Sequence, residues 1–309
     1  MGISLSQILG IINIRSRYIV EDYLVQGMAF NNEVRFFAAY SRQLVEEARS
    51  IHDTTPVCTA ALGRTLTAGA MMGAMLKNDS DLLTLRFNGD GPAKSVTVTS
   101  DSKSNVKGII SNPHVELPVR ESDNHLDVGR AIGHGTLSVI RDTGLKDPYV
   151  GQTQIVSGEI AEDLTYYFAN SEQIPTVTGL GVLVDTDWTV KHAGGFIIQL
   201  LPFASEETIS KLEDAVSKFG SVTNYLNEGE TPEQMMEHLL TDIVIEDRRT
   251  IQYKCNCDRK RVTKALISLG HTELQSMIAD GEPINLHCDF CGKDYEFSVE
   301  ELKLIDQNI

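Results

Sequence analysis

Four of the five cysteines in this 309-residue chain lie in two tight pairs near its C-terminus. Cys255 and Cys257 are one residue apart in "YKCNCDRK", and Cys288 and Cys291 have C-x-x-C spacing in "HCDFCGKDYEF". Residues i and i+2 of an extended strand project to the same face, and their Cα atoms are about 6.6 Å apart. The first pair could therefore close into a disulfide or bind one metal ion together.

Two close cysteine pairs, separated here by the thirty residues 258–287, are typical of a tetrahedral Cys₄ site, most often for zinc. Gly292 directly follows Cys291 and can adopt a backbone conformation that leaves amide groups free to face the sulfurs. Two disulfides are the alternative, but cytosolic thiols stay reduced. The N-terminal sequence also lacks the basic start of a secretory signal. An iron–sulfur cluster is a third interpretation of the four cysteines, although the C-x-C spacing does not match the usual ferredoxin spacings.

We therefore predict one zinc ion per chain in a cytoplasmic protein. Its ligands are the thiolates of Cys255, Cys257, Cys288 and Cys291.

The charge balance limits the partners. The chain has 27 Lys and Arg against 43 Asp and Glu, a net charge of −16, which repels phosphate backbones. Residues 251–309 are acidic too, with 7 basic and 10 acidic residues. No stretch approaches the ~20 apolar residues of a membrane span. The sequence thus predicts neither a nucleic acid nor a membrane as partner.

The pattern of the first two hundred residues predicts an α+β fold, a mixed α/β domain with antiparallel strands. Residues 23–40 have the pattern of a hairpin, with Asn31 and Asn32 at a turn that needs positive φ angles. Residues 56–77 are apolar on most of the helix circumference, which indicates a buried helix. Six further runs have strand patterns: 82–88, 94–99, 106–111, 136–140, 178–184 and 188–201.

Composition changes after Pro202, where short amphipathic helices are predicted over 205–219 and 232–240. The second begins with a capping box formed by Thr231 and Gln234. Helices of this length are marginal in isolation, so they need a surface on which to dock. Their release would expose Met235, Met236, Leu239 and Leu240.

A small zinc-binding module is predicted over 251–309. Asp258 can cap a helix from Arg259 to Leu269, and Ser298 with Glu301 can cap the final helix.

Taken in order, several stretches resemble the heat shock protein 33 family, a family of redox-regulated chaperonins. Besides the cysteine pattern they are "AALGRTLTAGAMMGAMLK", "GTLSVIRDTGLKD", "IVSGEIAEDLTYYFANSEQIP", "GLGVLVD" and "AGGFIIQLLP". The resemblance runs from about Glu21 to the C-terminus. Residues 1–20 lie outside it, and Cys58 stands where we expect a small uncharged residue, so we predict a buried thiol that binds no metal.

The resemblance implies an ATP-independent holdase rather than an enzyme. It implies an N-terminal extension over 1–20, a chaperone core domain over 21–202, a helical linker over 203–250 and a small C-terminal zinc-binding redox-switch domain over 251–309. It also implies a monomer that is inactive when reduced and zinc-bound.

For the oxidised protein, the resemblance implies disulfides Cys255–Cys257 and Cys288–Cys291, release of zinc, and unfolding of the redox-switch domain and the linker. The exposed surface then binds unfolding client proteins under heat and oxidative stress, and the oxidised protein forms a homodimer.

Two other functions fit parts of the sequence. A zinc-ribbon nucleic-acid-binding protein would share the cysteine spacing, but the negative charge disfavours it. A thiol–disulfide oxidoreductase would share "CDFC", but Gly292 and a predicted strand follow the motif here, where a thioredoxin-like motif has a helix.

Overall fold

The computed structural model describes residues 21–307, so the predicted N-terminal extension over residues 1–20 lies outside the described residues. The described chain has two large sheets, a small two-stranded sheet and helices on and between them. This confirms the predicted α+β class.

The first sheet has five strands in the order β10-β1-β2-β9-β8, and all neighbours are antiparallel. Its strands are β1 (Tyr23–Ala29), β2 (Val34–Tyr40), β8 (Thr176–Val184), β9 (Val190–Leu200) and β10 (Val244–Thr250). The β1–β2 turn has positive φ at Phe30, Asn31 and Asn32, as the two asparagines predicted.

The second sheet has six strands in the order β11-β5-β4-β3-β6-β7. They are β3 (Leu82–Gly89), β4 (Ser95–Asp101), β5 (Asn105–Ile110), β6 (Gly135–Asp142), β7 (Tyr149–Gln154) and β11 (Gln252–Tyr253). Only β11 runs parallel to its neighbour β5, and the other pairs are antiparallel.

The helix α2 (Pro56–Gly73) lies between the two sheets and contacts both. All its residues except Pro56 and Arg64 are buried. A Cβ on Gly69 would lie 2.7 Å from Cγ1 of Val98 on β4, so this glycine lets the sheet approach the helix closely. The other helices of this part are α1 (Arg42–His52), α3 (Val128–Ile132) and α4 (Ala161–Tyr167), which continues as a π-turn over Phe168–Glu172.

Three helices cover the outer face of the first sheet: α5 (Glu206–Lys218), α6 (Val222–Glu228) and α7 (Pro232–Glu237). Each has a side-chain cap, from Ser205, Ser221 and Thr231 respectively. Their apolar faces form a second core with Tyr23, Val25, Phe36 and other residues of that sheet face. The short helices therefore gain their stability from packing rather than from length.

The chain then forms β10 and β11, which the sequence pattern did not predict. β10 pairs with the edge of the first sheet and β11 with the edge of the second. Between them the amide of Ile251 donates to the carbonyl oxygen of Asp22 at 3.2 Å. One extended segment thus joins the edges of both sheets.

The C-terminal part comprises α8 (Arg259–Leu269), α9 (His271–Asp280), β12 (Ile284–His287), β13 (Asp294–Phe297) and α10 (Val299–Asp306). Asp258 caps α8, and Ser298 with Glu301 forms the predicted capping box of α10. The core of this C-terminal part is small, and its buried residues are Leu266, Leu274, Phe297 and Leu302.

Candidate metal centre

Two short segments carry the four cysteines of the predicted site. Cys255 and Cys257 lie in the extended segment between β11 and α8, and Cys288 and Cys291 lie in the turn between β12 and β13. That turn closes through hydrogen bonds from the Gly292 amide to the Cys288 carbonyl at 2.8 Å and from the Cys288 amide to the Lys293 carbonyl at 2.9 Å. Gly292 has φ +68°, a conformation that glycine adopts without a steric penalty.

The four sulfurs form one compact cluster. Sγ of Cys255 lies 3.8 Å from Sγ of Cys288, and Sγ of Cys257 lies 3.2 Å from Sγ of Cys291. All four sulfurs lie within 4.8 Å of one another, and all are free thiols. A tetrahedral zinc site with Zn–S bonds of ~2.3 Å has S···S edges of about 3.8 Å. Both the donor set and its spacing therefore fit a zinc ion.

The thiols influence one another's ionisation. Burial acts to raise the pKa of Cys257, but hydrogen bonds from Tyr295 and from Cys291 outweigh it and lower the pKa to about 7. Burial and the neighbouring Cys257 raise the pKa of Cys291 to about 12. A thiolate in the cluster thus disfavours ionisation of the neighbouring thiols, whereas a bound cation would favour the thiolate form of all its ligands.

Tyr295 on β13 is a neighbour of the cluster that the sequence pattern did not identify. Its hydroxyl donates to Sγ of Cys257 at 3.3 Å. Hydrogen bonds of this kind orient metal ligands and tune their basicity. His287, which adjoins Cys288, instead places Nδ1 2.8 Å from Oδ1 of Asp294.

The cysteine cluster docks on the second sheet through the residues between its cysteines. Nζ of Lys107 on β5 donates to Oδ1 of Asn256 at 2.8 Å and lies 4.7 Å from the ring centre of Phe290. The hydroxyl of Tyr253 contacts the carbonyl oxygens of Gly108 and Phe290. The residues that make these contacts are far apart in the sequence, so no local sequence pattern predicts them.

Cys58 lies apart from the cluster, near the start of α2, and is fully buried. Its thiol donates to the carbonyl oxygen of Asn112 at 3.3 Å, and burial raises its pKa. A buried thiol of this kind packs as a small apolar residue.

The residues predicted to form an apolar linker surface are buried in this structure. They pack in the second core, against the outer face of the first sheet: Met235, Met236, Leu239 and Leu240. The hydroxyl of Tyr23 on β1 also donates to Oε2 of Glu233 on α7 at 2.7 Å. In this structure, in which the cysteines are free thiols, these residues are therefore docked on the first sheet.

Within residues 21–307, no helix combines the length and hydropathy needed to cross a membrane.

The comparisons with known proteins all indicate the same family, and each covers most of the chain. The family model described as Hsp33 protein matches residues 22–298. The 33 kDa chaperonin of Agathobacter rectalis is 53% identical over 286 residues, which cover 92% of this chain and 99% of that protein. The 33 kDa chaperonin of Clostridium perfringens is 50% identical over 292 residues, covering 93% of this chain and 92% of that protein.

A solved structure supports the same assignment. The 33 kDa chaperonin (heat shock protein 33 homolog) of Thermotoga maritima superposes with a TM-score of 0.85 at 38% identity, covering 93% of this chain and 98% of that chain. The residues matched by the family model include all four clustered cysteines. The chain belongs to the Hsp33 family, a family of chaperones.

Proposed function

We propose that this protein is a redox-regulated, ATP-independent holdase of the cytoplasm that binds unfolding client proteins and prevents their aggregation. One observation carries the proposal. The segment that leads into the first pair of the four-thiol cluster supplies β10 and the three helices that cover an apolar face of the first sheet. A chemical change at the sulfurs can therefore be coupled to exposure of that face.

In the reduced state, Cys255, Cys257, Cys288 and Cys291 would hold one zinc ion. Zinc would supply a cross-link between the β11–α8 segment and the β12–β13 turn. Within the part of the chain that the structure describes, the C-terminal core has four fully buried apolar residues, and small domains of this kind depend on such cross-links. Zinc binding in small modules is coupled to their folding.

Oxidation would act on the thiolates, which are the nucleophilic form of cysteine. A thiolate sulfur attacks one oxygen of hydrogen peroxide, the O–O bond breaks, and hydroxide leaves to yield a sulfenic acid. The second cysteine of the pair then attacks that sulfur, the disulfide forms, and the sulfenic oxygen leaves as water. Following the family resemblance, the pairs are Cys255–Cys257 and Cys288–Cys291, after which the four ligands of a zinc site no longer exist.

Two sulfur–sulfur contacts in the structure run between the pairs, from Cys255 to Cys288 at 3.8 Å and from Cys257 to Cys291 at 3.2 Å. Disulfides within each pair would use up these thiols and leave no cross-link through sulfur between the β11–α8 segment and the β12–β13 turn. The module would lose the cross-link that compensates for its small core.

Unfolding of the module would remove the anchor at one end of the linker. β10 and β11 continue directly into the first cysteine pair, and their loss would leave α5–α7 docked through their own apolar contacts and a few hydrogen bonds such as Tyr23 to Glu233. Release would expose Met235, Met236, Leu239 and Leu240 together with the sheet face beneath. Contiguous exposed apolar patches bind other chains, and we infer that two oxidised copies also associate as a homodimer.

The function is tested by suppression of light scattering from heated citrate synthase, with released zinc followed by a chromogenic chelator. We expect no suppression by the reduced zinc-bound protein. Peroxide with mild heat should give suppression and release of one zinc per chain, and reductant plus zinc should reverse both. Equal suppression by reduced and oxidised protein would contradict redox control. No suppression in either state would contradict the holdase function.

A further inference from the structure

The edge of β1 is covered by a strand from the linker. β1 pairs with β10 from Tyr23 opposite Thr250 to Met28 opposite Val244, with a register shift between Gln26 and Gly27. On its other side β1 pairs with β2 along its whole length. If β10 leaves, β1 becomes an edge strand with a row of unpaired backbone groups.

β10 is a weak partner for that edge. Its seven residues are "VIEDRRT", with four consecutive charges, and charged acidic residues are depleted in strands. No residue of β10 is buried, and Val244 and Ile245 are 57% and 41% exposed. The strand is therefore held mainly by its backbone ladder and by contacts such as Arg248 over the ring of Tyr23, 3.9 Å from its centre.

β1 carries apolar residues on both faces, interrupted by Gln26 and Gly27. Leu24 points into the main core, whereas Tyr23, Val25 and Ala29 belong to the second core beneath the linker helices. Once the helices leave, the edge of β1 would border an apolar sheet face. A long, apolar, unpaired edge is the arrangement that templates pairing with another extended chain.

Gly27 permits the close approach of the covering strand. A Cβ at this position would lie 2.1 Å from the backbone oxygen of Val244 and 3.0 Å from the ring of Phe36. At Gly27, therefore, β1 leaves room for the backbone of a neighbouring strand, and a side chain on β1 would block it.

We propose that the β1 edge, residues Tyr23–Ala29, is a strand-addition site for an extended apolar segment of a client protein. β10 occupies the site in the reduced protein. The inference rests on the proposed function, because β10 lies in the linker that oxidation would release. The β1 edge already binds an extended strand, β10, by main-chain hydrogen bonds, and any sequence can supply such bonds. An uncharged apolar segment of a client should form a more stable strand on this edge than the charged "VIEDRRT" of β10.

The first test is hydrogen exchange of full-length oxidised protein with and without reduced, carboxymethylated α-lactalbumin, a permanently unfolded chain. Oxidation should expose the β1 amides that face β10, and the unfolded chain should slow their exchange again by about tenfold, while residues 206–240 stay exposed. Bound α-lactalbumin with no renewed protection of residues 23–29 would overturn the proposal. Renewed protection without α-lactalbumin, in a species of twice the mass, would overturn it in favour of a second copy.

These outcomes are separate from failure of the proposed function. If oxidation left residues 203–309 as protected as before, the redox switch itself would be wrong. If they opened and α-lactalbumin bound while β1 stayed exposed, only the strand-addition site would be wrong.

The second test compares Gly27→Ala with Gly181→Ala. A Cβ on Gly181 would lie 2.8 Å from Cγ2 of Thr223 on α6, so this substitution also loosens the linker but leaves the β1 edge unchanged. Both variants should require less peroxide for opening. After full oxidation, Gly27→Ala should bind α-lactalbumin several-fold more weakly than the parent protein, and Gly181→Ala should bind it equally well. Equal affinity of both oxidised variants, with native exchange of β2 and β9, would overturn the proposal.

Discussion

Lys107 on β5 donates a hydrogen bond to Asn256 at 2.8 Å and places its ammonium group 4.7 Å from the ring centre of Phe290. Asn256 lies between Cys255 and Cys257, and Phe290 lies between Cys288 and Cys291. A single side chain of the second sheet thus contacts the middle of both cysteine pairs. Closing either pair into a disulfide would move a residue that Lys107 contacts.

Replacing Lys107 with Met should loosen docking of the C-terminal module without affecting zinc content, because no predicted ligand is changed. The loss of a partly exposed cation–π contact and one hydrogen bond is about 1 kcal/mol, so exchange of the 252–254 amides in reduced protein should accelerate about fivefold. Lys103→Met is the matched control, since Lys103 pairs with Asp79 at 2.9 Å on the exposed surface, away from both cysteine pairs. Unchanged exchange in Lys107→Met would show that this contact does not hold the module.

Replacing Cys255 and Cys291 together with Ser should abolish stoichiometric zinc, because each short segment then loses one of its two thiolates. Metal analysis after gel filtration of reduced protein measures this directly. Cys58→Ala is the control, and it should keep one zinc per chain and normal oxidative activation, because Cys58 is buried in the main core. Zinc retained by the double variant would contradict the four-ligand site.

Met236→Ala should weaken the linker's docking on the first sheet. Met236 is fully buried, and truncation of such a side chain costs about 2–5 kcal/mol. Reduced Met236→Ala should therefore show faster exchange over 232–240 and activate at lower peroxide than the parent protein. Glu237→Ala, at an exposed position on the same helix, should behave like the parent, and equal behaviour of both variants would argue against an inhibitory role for this face.

Asp22 should make the core sensitive to pH. Burial raises the pKa of its carboxyl group from 3.8 to about 6, although the carboxylate accepts hydrogen bonds from the amides of Leu44 and Gln43 at 2.6 and 3.0 Å. Because the folded-state pKa exceeds the unfolded one, the protonated form stabilises the fold. That contribution is complete below about pH 4 and is lost as the pH rises through about 6.

A carboxyl ¹³C titration by NMR, assigned with Asp22→Asn, checks this prediction. We expect a midpoint near pH 6 for Asp22 in folded protein. A midpoint near its ordinary value of 3.8 would contradict the effect of burial.

Local signals predicted much of the fold and the cysteine cluster. The cysteine spacing identified all four clustered thiols, and the capping box of Thr231 and Gln234 correctly marked the start of α7. These features depend on residues within a few positions of one another. The cap of α8 by Asp258 was predicted for the same reason.

The features that the sequence did not predict depend on distant partners. β10 carries four consecutive charges and forms a strand because β1 offers an edge more than two hundred residues earlier in the chain. Likewise, nothing in the sequence around Lys107 indicates Asn256 as its partner. The linker was predicted as helical, and the structure adds to its helices a strand, β10, that extends the first sheet.

Oxidation of the cysteine pairs should unfold the C-terminal module and release the linker. Hydrogen exchange across residues 203–309, in reduced zinc-bound and in peroxide-treated protein, measures both events. We expect protection of this whole region in the reduced state and its loss after oxidation, while α2 and the strands β2, β3 and β4 stay protected. Equal protection of residues 203–309 in both states would contradict switching by unfolding, whatever the aggregation measurements showed.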